Sequence, residues 1–372
     1  MSETNTMRRD KGLFTDMPHT PARPTSKMKK ATSPARRLPT VHHGDPRLFT
    51  DQKPPVPVGK FTVVSMFSGC GGMDLGFHGG FSICGREYDL LPFEVIWANE
   101  HNKAACRTYR KNLGVEILCE DVWAALDSIP QQADVLIGGF PCQDVSVNGK
   151  RVGVNGKRTG LYKAMIEGIK KVKPKVFVAE NVKGLLMKDG GASIRQVVND
   201  FEELGYKVSY ELLDAANFGV PQTRERVIII GVMDKERKFE HPKPVIPKES
   251  WVTAKTAICD LELLEENAAI NHIWSRANKS GEQGNRKLVA DRPGYTIRAE
   301  CHGNIQYHYA LKRRISMREA ARIQSFPDSF IFDAKLRETE RQLGNAVPPV
   351  LAWHVAKAVE KYLKDDVARN DR

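Results

Sequence analysis

Short apolar runs alternate with longer amphipathic segments through the middle of the chain. Apolar runs bounded by glycine, proline or acidic residues are typical of buried strands, and apolar residues three or four positions apart are typical of helices. The strand-like runs are residues 61–67, 93–98, 134–138, 175–180, 207–213 and 226–232. The helical patterns are residues 71–80, 101–112, 160–172 and 192–204. This alternation predicts an α/β fold with a doubly wound, mostly parallel sheet.

The pattern changes at both ends of this block and divides the chain. Residues 1–58 are rich in proline, serine, threonine and basic residues without an apolar period, which predicts a disordered basic arm. Residues 59–234 carry the strand and helix alternation, whereas residues 235–312 show poor periodicity and predict a second, smaller, irregular domain. Helical patterns return in residues 313–372, and we expect this segment to pack back on the sheet.

Charge and cysteine content narrow the class of protein. Lys and Arg exceed Asp and Glu by 57 to 45, and a net charge of +12 favours a polyanionic partner such as nucleic acid. The seven cysteines include no CxxC pair, which argues against disulfides and structural zinc. The spacing of Cys301, His302 and His308 fits no common zinc pattern, so we expect no metal. The sequence shows neither a secretory signal nor an apolar stretch of membrane-spanning length, which predicts a cytoplasmic protein that does not bind membranes.

Glycines and acids follow the first two strand-like runs and the segment that comes after them. The motif "FSGCGGMDLGF" (67–77) follows the first strand, and its glycines allow a sharp turn and close approach to a ligand. Glu100 follows the next strand, where doubly wound folds place an acid against ribose hydroxyls. Asp121, in "CEDV" (119–122), lies between the second and third strand-like runs. Its carboxylate could accept a hydrogen bond from an adenine amino group. Each acid could also be a solvated loop carboxylate, but together they favour an adenosyl ligand.

A cysteine lies where such a sheet binds its ligands. Cys142 of "GGFPCQDVS" (138–146) comes shortly after an apolar run, although a lone cysteine is more often a small buried hydrophobe. Glu180 ends the strand-like run 175–180, and Arg224 and Arg226 alternate in "QTRERV". Read alone, Glu180 could be a loop or capping residue, and the arginines could form a surface ion-pair strand.

Seven motifs in order resolve these alternatives. The chain from about 61 to 364 carries "FSGCGGMDLGF", "NE", "GGFPCQDVS", "AENVKG", "QTRERV", "RISMREAARIQSFPD" and "QLGNAVPP". In this it resembles the bacterial cytosine-5 DNA methyltransferases. The resemblance implies a Rossmann-like domain that binds S-adenosylmethionine and a target-recognition domain in residues 235–312.

The resemblance also implies a catalytic role for each of four residues. Cys142 would add as a thiolate to C6 of cytosine, which makes C5 nucleophilic enough to take up a methyl group. Glu180 would hydrogen-bond or protonate N3 of the base. Arg226 would contact the cytosine O2, and Arg224 would lie near the active-site loop or a phosphate.

Two further sets of residues are expected around these four. By resemblance or by position, the cofactor-binding residues are Phe67, Gly69, Gly71, Gly72, Glu100, His101, Asp121, Val122, Pro141, Leu161, Asn345 and Val347. The expected DNA-binding residues are Gln143, Ser146, Arg292, Arg298, His302 and Asn304.

The expected substrate is a short sequence in double-stranded DNA, from which the enzyme flips the target cytosine. Such enzymes usually protect DNA from a partner restriction endonuclease that acts on the same site. We expect a monomer that associates with the nucleoid through DNA. One alternative is methylation of transfer RNA, and another is a DNA-binding repressor that keeps the fold without catalysis. The irregular lobe and the basic charge favour DNA, and the joint presence of Cys142, Glu180 and Arg226 favours catalysis.

Overall fold

The computed structural model describes residues 61–140, 160–276, 286–299 and 305–370, and these contain a six-stranded and a two-stranded sheet. The strands are β1 Phe61–Met66, β2 Phe81–Ile83, β3 Arg86–Tyr88, β4 Phe93–Asn99, β5 Val135–Gly139, β6 Val176–Val182, β7 Lys207–Asp214 and β8 Glu225–Val232. The six predicted strands and the α/β fold class are confirmed.

Ten α-helices lie in the described residues. They are α1 Gly72–His78, α2 Lys103–Leu113, α3 Val122–Ala125, α4 Leu161–Val172, α5 Gly184–Met187, α6 Ala192–Glu202, α7 Ala254–Ile258, α8 Met317–Ile323, α9 Leu336–Asn345 and α10 Pro349–Asn370. The four helices predicted between the strands correspond to α1, α2, α4 and α6. In the described ranges, no helix combines the length and the apolar character needed to cross a membrane.

The large sheet has the strand order β4-β1-β5-β6-β8-β7. Strands β4, β1, β5 and β6 run parallel, whereas β8 runs antiparallel to both β6 and β7. The carboxyl ends of the four parallel strands and the amino end of β8 therefore lie along one edge, here called the carboxyl edge. Ligands of doubly wound sheets bind beyond such an edge.

Both faces of the large sheet are buried, which explains the continuous apolar runs in the sequence. Successive side chains of a strand point to opposite faces. Val63 of β1 and Ile137 of β5 accordingly belong to one apolar core, and Val64 and Leu136 belong to another. All four side chains have no exposed surface.

The C-terminal helix α10 packs against α1. Gly76 of α1 has no side chain, and a Cβ atom at this position would lie 2.4 Å from Cβ of Ala352 on α10. Val350, Val355 and Val359 of α10 are buried in the same core as β1. The C-terminal helix α10 and strand β1 therefore contribute to one apolar core.

A short hairpin, which the sequence analysis did not predict, lies between α1 and β4. Strands β2 and β3 pair in antiparallel fashion around Cys84 and Gly85, and both of these residues have positive φ angles, of 50° and 71°. Each strand has only three residues, which is too short for an alternating pattern to be visible in the sequence.

Residues 235–312 contain α7, short 3₁₀ turns and isolated bridges within their described part. Ile258, Leu288 and Ile297 from this region are buried in the same apolar core as β1 and α10. The backbone N–H of Thr223, just before β8, donates to the carbonyl of Gly294 at 2.9 Å. The region is thereby fixed against the end of the sheet that carries the amino terminus of β8.

Candidate functional site

A cavity of about 540 Å³ opens at the carboxyl edge of the sheet. Its walls come from the glycine-rich turn after β1, the ends of β4, β5 and β6, the start of β8, and residues 341–347. Of the residues expected to bind a cofactor, the following line the cavity: Phe67, Gly69, Gly72, Glu100, His101, Leu161, Asn345 and Val347. The structure thus brings most of the expected cofactor residues together.

The glycine-rich turn packs closely against the segment after α9. Gly69 and Gly71 have φ angles of 57° and 93°, in the left-handed region that glycine adopts readily. A Cβ atom at Gly72 would lie 2.4 Å from the carbonyl oxygen of Val347. The turn and the segment after α9 therefore meet backbone to backbone at the cavity wall.

Glu100 connects this turn to the end of β4. Its Oε2 atom accepts a hydrogen bond from the backbone N–H of Gly69 at 3.1 Å, and Oε1 accepts one from Asn102 at 2.8 Å. The Nδ1 atom of His101 lies 3.1 Å from Oε1. A carboxylate has about four acceptor sites, so Glu100 retains the capacity to accept hydroxyl groups of a ligand.

Asp121 and Val122 are placed differently from the cavity-lining residues. The Asp121 side chain caps α3 by accepting from the backbone N–H of Trp123 at 2.9 Å, and Val122 is buried in the core. Neither residue is among the described residues that line the cavity. Their contact with a cofactor stays a prediction.

Glu180 and Arg226 form a buried ion pair beside the cavity. The Nε atom of Arg226 lies 2.7 Å from Oε1 of Glu180, and the two side chains are 10% and 11% exposed. Burial lowers the pKa of Arg226, and the Glu180 charge opposes that shift. The two residues meet because β8 is antiparallel, which puts Arg226 opposite Val182, just past Glu180 on β6.

The end of β5 is shaped around this pair. Gly139 pairs with Glu180, and a Cβ atom at Gly139 would lie 3.0 Å from Oε2 of Glu180. The Nδ2 atom of Asn181 donates to the carbonyl of Phe140 at 2.8 Å. Cys142 follows Phe140 by two positions but lies outside the described residues, as do Pro141, Gln143, Ser146, His302 and Asn304.

The cysteine among the described cavity-lining residues, Cys70, is unsuited to nucleophilic attack. Cys70 is buried, and burial raises the pKa of its thiol to about 12. A thiolate is the reactive form of cysteine, so Cys70 is almost entirely inert at neutral pH.

Arg224 has different contacts from those we expected. Its guanidinium is fully buried and donates to the carbonyls of Ile297 at 2.6 Å, Gly344 at 2.7 Å and Ala346 at 3.0 Å. A side chain without exposed surface cannot contact a phosphate in this conformation. Arg224 instead joins the segment around Ile297 to the cavity wall, because it lies just before β8 and turns towards the loop after α9.

The two described arginines among the expected DNA contacts, Arg292 and Arg298, are exposed. The positive charge of Arg298 contributes to the lowered pKa of Arg226, after burial and against the effect of Glu180, which places Arg298 near the ion pair. The backbone of residues 298–299 packs on Gly344, where a Cβ atom would lie 2.2 Å from the Ala299 nitrogen. The exposed positive charge of Arg298 near the ion pair fits a polyanionic ligand.

The cavity-lining residues that the sequence did not single out include Asp74 and Gln342. Both lie inside motifs that were identified, "FSGCGGMDLGF" and "QLGNAVPP". What distinguishes them from other polar residues of these motifs is their burial, which is not visible from the sequence.

Comparisons of the sequence and of the structure with known proteins both find methyltransferases. Residues 61–292 and 267–361 match the family of C-5 cytosine-specific DNA methylases. The chain is 36% identical to the type II methyltransferase M.NgoFVII of Neisseria gonorrhoeae, over 83% of this chain and 89% of that protein. It is 35% identical to the type II methyltransferase M.MthTI of Methanothermobacter thermautotrophicus, over 81% and 98%.

Solved structures share the fold at lower sequence identity. The Dnmt2 methyltransferase of S. pombe superposes with a TM-score of 0.61 at 19% identity, over 82% of this chain and 99% of that chain. The methyltransferase EhMeth of Entamoeba histolytica superposes with a TM-score of 0.58 at 16% identity, over 82% and 98%.

Proposed function

The chain belongs to the family of C-5 cytosine-specific DNA methylases, and on that premise we propose that it methylates a flipped-out cytosine within a short duplex DNA sequence. It is an enzyme that transfers a methyl group from S-adenosylmethionine to C5 of cytosine. The observation that carries the proposal is the Glu180–Arg226 pair beside a cavity at the carboxyl edge. That pair lies at the end of the strand next to the one that leads to Cys142.

The cavity residues fit the cofactor. The glycine-rich turn offers backbone N–H groups, and Glu100 keeps free acceptor sites for hydroxyls. When bound, S-adenosylmethionine supplies the electrophilic methyl group that C5 takes up.

Cys142 acts as the nucleophile in this proposal. Its thiolate adds to C6 of cytosine, breaks the aromaticity of the ring and raises the electron density at C5. After methylation, loss of the C5 proton and expulsion of the thiolate restore the aromatic base. The cysteine's position supports this role, because Cys142 follows Phe140, whose carbonyl is held by Asn181 next to Glu180.

Glu180 and Arg226 manage the charge that develops on the base. Attack at C6 places negative charge towards N3, where the Glu180 carboxyl hydrogen-bonds or protonates the ring. Arg226 holds Oε1 of Glu180 at 2.7 Å and offers its remaining donors to the cytosine O2. Because one ion pair serves both functions, a change at either residue affects the other.

The second part of the chain supplies recognition. We assign catalysis to residues 59–234 with 313–372, and target recognition to residues 235–312, of which Arg292 and Arg298 are exposed. Flipping the base costs a few kcal/mol, and contacts on both sides of the cleft are needed to offset it. The arm 1–58 takes no part in the chemistry.

The relatives named type II methyltransferases support the biological setting. We propose that the enzyme works as a monomer on DNA in the cytoplasm, within the nucleoid. A restriction endonuclease that cleaves the same unmethylated site is its partner in the cell.

The substrate class is tested by methyl transfer from tritiated S-adenosylmethionine with the purified full chain. Unmethylated bacterial DNA and unmodified transfer RNA are compared at equal nucleotide concentration, and bisulfite sequencing maps the modified positions. We expect label in DNA at cytosines of one short repeated sequence. If the label appeared only in transfer RNA, transfer RNA would be the substrate instead of DNA. If the chain bound DNA without methylating it, the alternative of a DNA-binding repressor would be favoured.

A further inference from the structure

Two free cysteines lie in contact near the cavity, Cys106 of α2 and Cys119 of the segment between α2 and α3. Cys106 has no exposed surface and belongs to a small apolar cluster, against which the half-buried Cys119 packs. Burial raises the pKa of the Cys106 thiol, and a side-chain hydrogen bond with Cys119 adds to the shift. A hydrogen bond between two thiols places their sulfur atoms next to each other, so the pair can react internally.

Cys106 is tied to Glu100, which lines the cavity. Its Sγ atom donates to the backbone carbonyl of Glu100 at 3.2 Å, and its backbone N–H donates to the carbonyl of Asn102 at 2.9 Å. The Glu100 carboxylate in turn accepts from the backbone N–H groups of Gly69 and Asn102. A change at the Cys106 sulfur therefore acts on the residue that holds the glycine-rich turn.

The segment that carries Cys119 is attached to the end of β4 on both sides of the cysteine. The side-chain amide of Asn99 donates to the carbonyl of Leu118 at 3.1 Å and to the carbonyl of Glu120 at 3.0 Å. The backbone N–H of Glu100 also donates to the carbonyl of Leu118, at 3.0 Å. Apart from the bridge between Asn99 and Leu118, residues 114–121 form no helix or strand, so Cys119 can move at a lower cost than a residue inside a helix.

We propose that Cys106 and Cys119 form an oxidation site, at which hydrogen peroxide converts the two thiols to a disulfide that weakens binding of the adenosyl ligand in the cavity. The disulfide rests on the contact between the two cysteines alone. Its effect on the ligand rests on the proposed function, because it takes the ligand of the cavity to be S-adenosylmethionine.

The oxidation proceeds in two steps that consume one peroxide. Cys119, the more exposed thiol, attacks a peroxide oxygen, the O–O bond breaks, and a sulfenic acid and one water form. The sulfur of Cys106 then attacks the sulfur of Cys119, the S–O bond breaks, and the leaving hydroxide takes the proton of Cys106 as a second water. The two thiols thereby lose two electrons in total. Burial keeps Cys106 protonated, which slows the second step, whereas the contact between the sulfur atoms favours it.

The disulfide changes the geometry around Glu100 in two ways. An S–S bond is only about 2.05 Å long, so Cys119 must move towards α2 and draw the carbonyls of Leu118 and Glu120 with it. Cys106 also loses the proton that it donates to the Glu100 carbonyl. Because the backbone of Glu100 bonds to both moving partners, its carboxylate is displaced from the position in which it can accept ligand hydroxyls.

The first experiment identifies the bond. The purified full chain is treated with hydrogen peroxide, remaining thiols are alkylated under denaturing conditions without reductant, and tryptic peptides are analysed by mass spectrometry. Trypsin cleaves after Arg107 and Lys111, so Cys106 and Cys119 fall on separate peptides unless a disulfide joins them. We expect a joined pair that is two hydrogen atoms lighter than the sum of its peptides and that dithiothreitol separates. A chain in which Cys119 stays a thiol, or is oxidised without joining Cys106, would overturn the inference.

The second experiment measures binding of S-adenosylhomocysteine by isothermal titration calorimetry, which requires no catalysis. We expect peroxide to weaken binding to the wild type about tenfold or more, and dithiothreitol to restore it. Cys119→Ser cannot form the disulfide, so its affinity should stay within about twofold of the reduced wild type before and after peroxide. The matched control is Cys259→Ser, which removes an exposed thiol and keeps the pair, and it should lose affinity as the wild type does.

The outcomes separate this inference from the proposed function. A reduced wild type that fails to bind S-adenosylhomocysteine contradicts the proposed function and the effect on the ligand, while the peptide analysis still decides the disulfide. A disulfide that leaves the affinity unchanged, or an equal loss in Cys119→Ser, overturns the effect on the cavity. If Cys119→Ser does not fold, the wild type decides alone. Affinity that returns with dithiothreitol as the joined peptides separate supports the inference, and affinity that dithiothreitol does not restore contradicts it.

Discussion

At the scale of single residues, the ion pair of Glu180 and Arg226 depends on what surrounds it. Gly139 leaves room for the Glu180 carboxylate above the end of β5, and the burial of both side chains strengthens their attraction. A neighbouring acid, Glu225, pairs instead with Lys183 at 2.9 Å and is 42% exposed. The chain therefore holds a natural control for the role of Glu180.

We expect Glu180→Gln to lower kcat for methyl transfer about 100-fold or more. The amide can form a hydrogen bond with N3, but it cannot transfer a proton to it. Glu225→Gln removes an exposed ion pair that contributes little to stability, and it should leave kcat within about twofold of the wild-type value. Single-turnover methylation of duplex DNA measures both. Similar rates for the two variants would remove Glu180 from the mechanism.

The sequence could identify Glu180 and Arg226 because each falls in a motif whose chemistry is recognisable. The sequence could not show the contacts of Arg224, since alternation along a strand does not say where the strand begins. Arg224 precedes β8, and its side chain turns away into three carbonyls. Asp74 and Gln342 were missed for a related reason, because a buried polar group and a solvated one look alike in sequence.

At the scale of elements, Arg224 ties three segments together. Its guanidinium bonds to Ile297 from the region proposed to read DNA, and to Gly344 and Ala346 from the cavity wall. The ammonium group of a lysine could not reproduce the planar arrangement of donors by which the guanidinium reaches these carbonyls.

Arg224→Lys is therefore expected to lower the free energy of unfolding by about 2–4 kcal/mol, since at least one buried carbonyl loses its donor. The exposed Arg292 gives the matched change, and Arg292→Lys should stay within about 0.5 kcal/mol of the wild type. Urea unfolding followed by fluorescence compares the two. Equal effects would show that the three hydrogen bonds contribute little.

The contact between α1 and α10 leads to a second prediction at this scale, which concerns the stability of a Gly76 variant. A Cβ atom at Gly76 would lie 2.6 Å from the carbonyl of Pro349 and 2.4 Å from Cβ of Ala352, so the helices must separate to admit alanine. Gly76→Ala should cost about 1–3 kcal/mol through this overpacking. At Gly184 the nearest atom is 3.7 Å away, and Gly184→Ala is the control with no steric cost. Thermal denaturation distinguishes the two, and a Gly76 variant as stable as the control would contradict the packing.

The order of the elements was accessible from the sequence, but the direction of one strand was not. Apolar runs gave the six strands of the sheet, because buried parallel strands are apolar on both faces. Nothing in the run 226–232 indicates that β8 is antiparallel. That reversal brings Arg226 to the carboxyl edge, so the geometry of the site depends on a feature that periodicity does not record.

At the scale of the whole molecule, stability should depend on pH through a histidine in the core between α10 and its neighbours. His354 packs against the rings of Tyr88 and Phe218, and burial lowers its pKa to about 4. As the pH falls below about 6.5, the unfolded chain takes up the proton before the folded chain does, so stability falls between about pH 6.5 and 4.

Between pH 7.5 and 5, we expect the wild type to lose about 1–2 kcal/mol more stability than His354→Gln, which has no such proton. Asp74 contributes in the opposite direction in both proteins, because its pKa is raised and it therefore favours the folded state at low pH. The comparison of the two melting profiles removes that contribution. Parallel profiles would show that His354 titrates alike in the folded and unfolded chain.

The most direct test of the whole account uses duplex DNA synthesised with 5-fluorocytosine at every cytosine, together with S-adenosylmethionine and the purified chain. Fluorine at C5 cannot leave as a proton does, so a covalent link between the base and the attacking thiol persists. The control for Cys142→Ser is Cys259→Ser, because Cys259 is exposed and belongs to none of the motifs. We expect a denaturation-resistant, cofactor-dependent adduct with the wild type and Cys259→Ser, and none with Cys142→Ser. An adduct that survives in Cys142→Ser, or none with the wild type, would contradict the proposed chemistry.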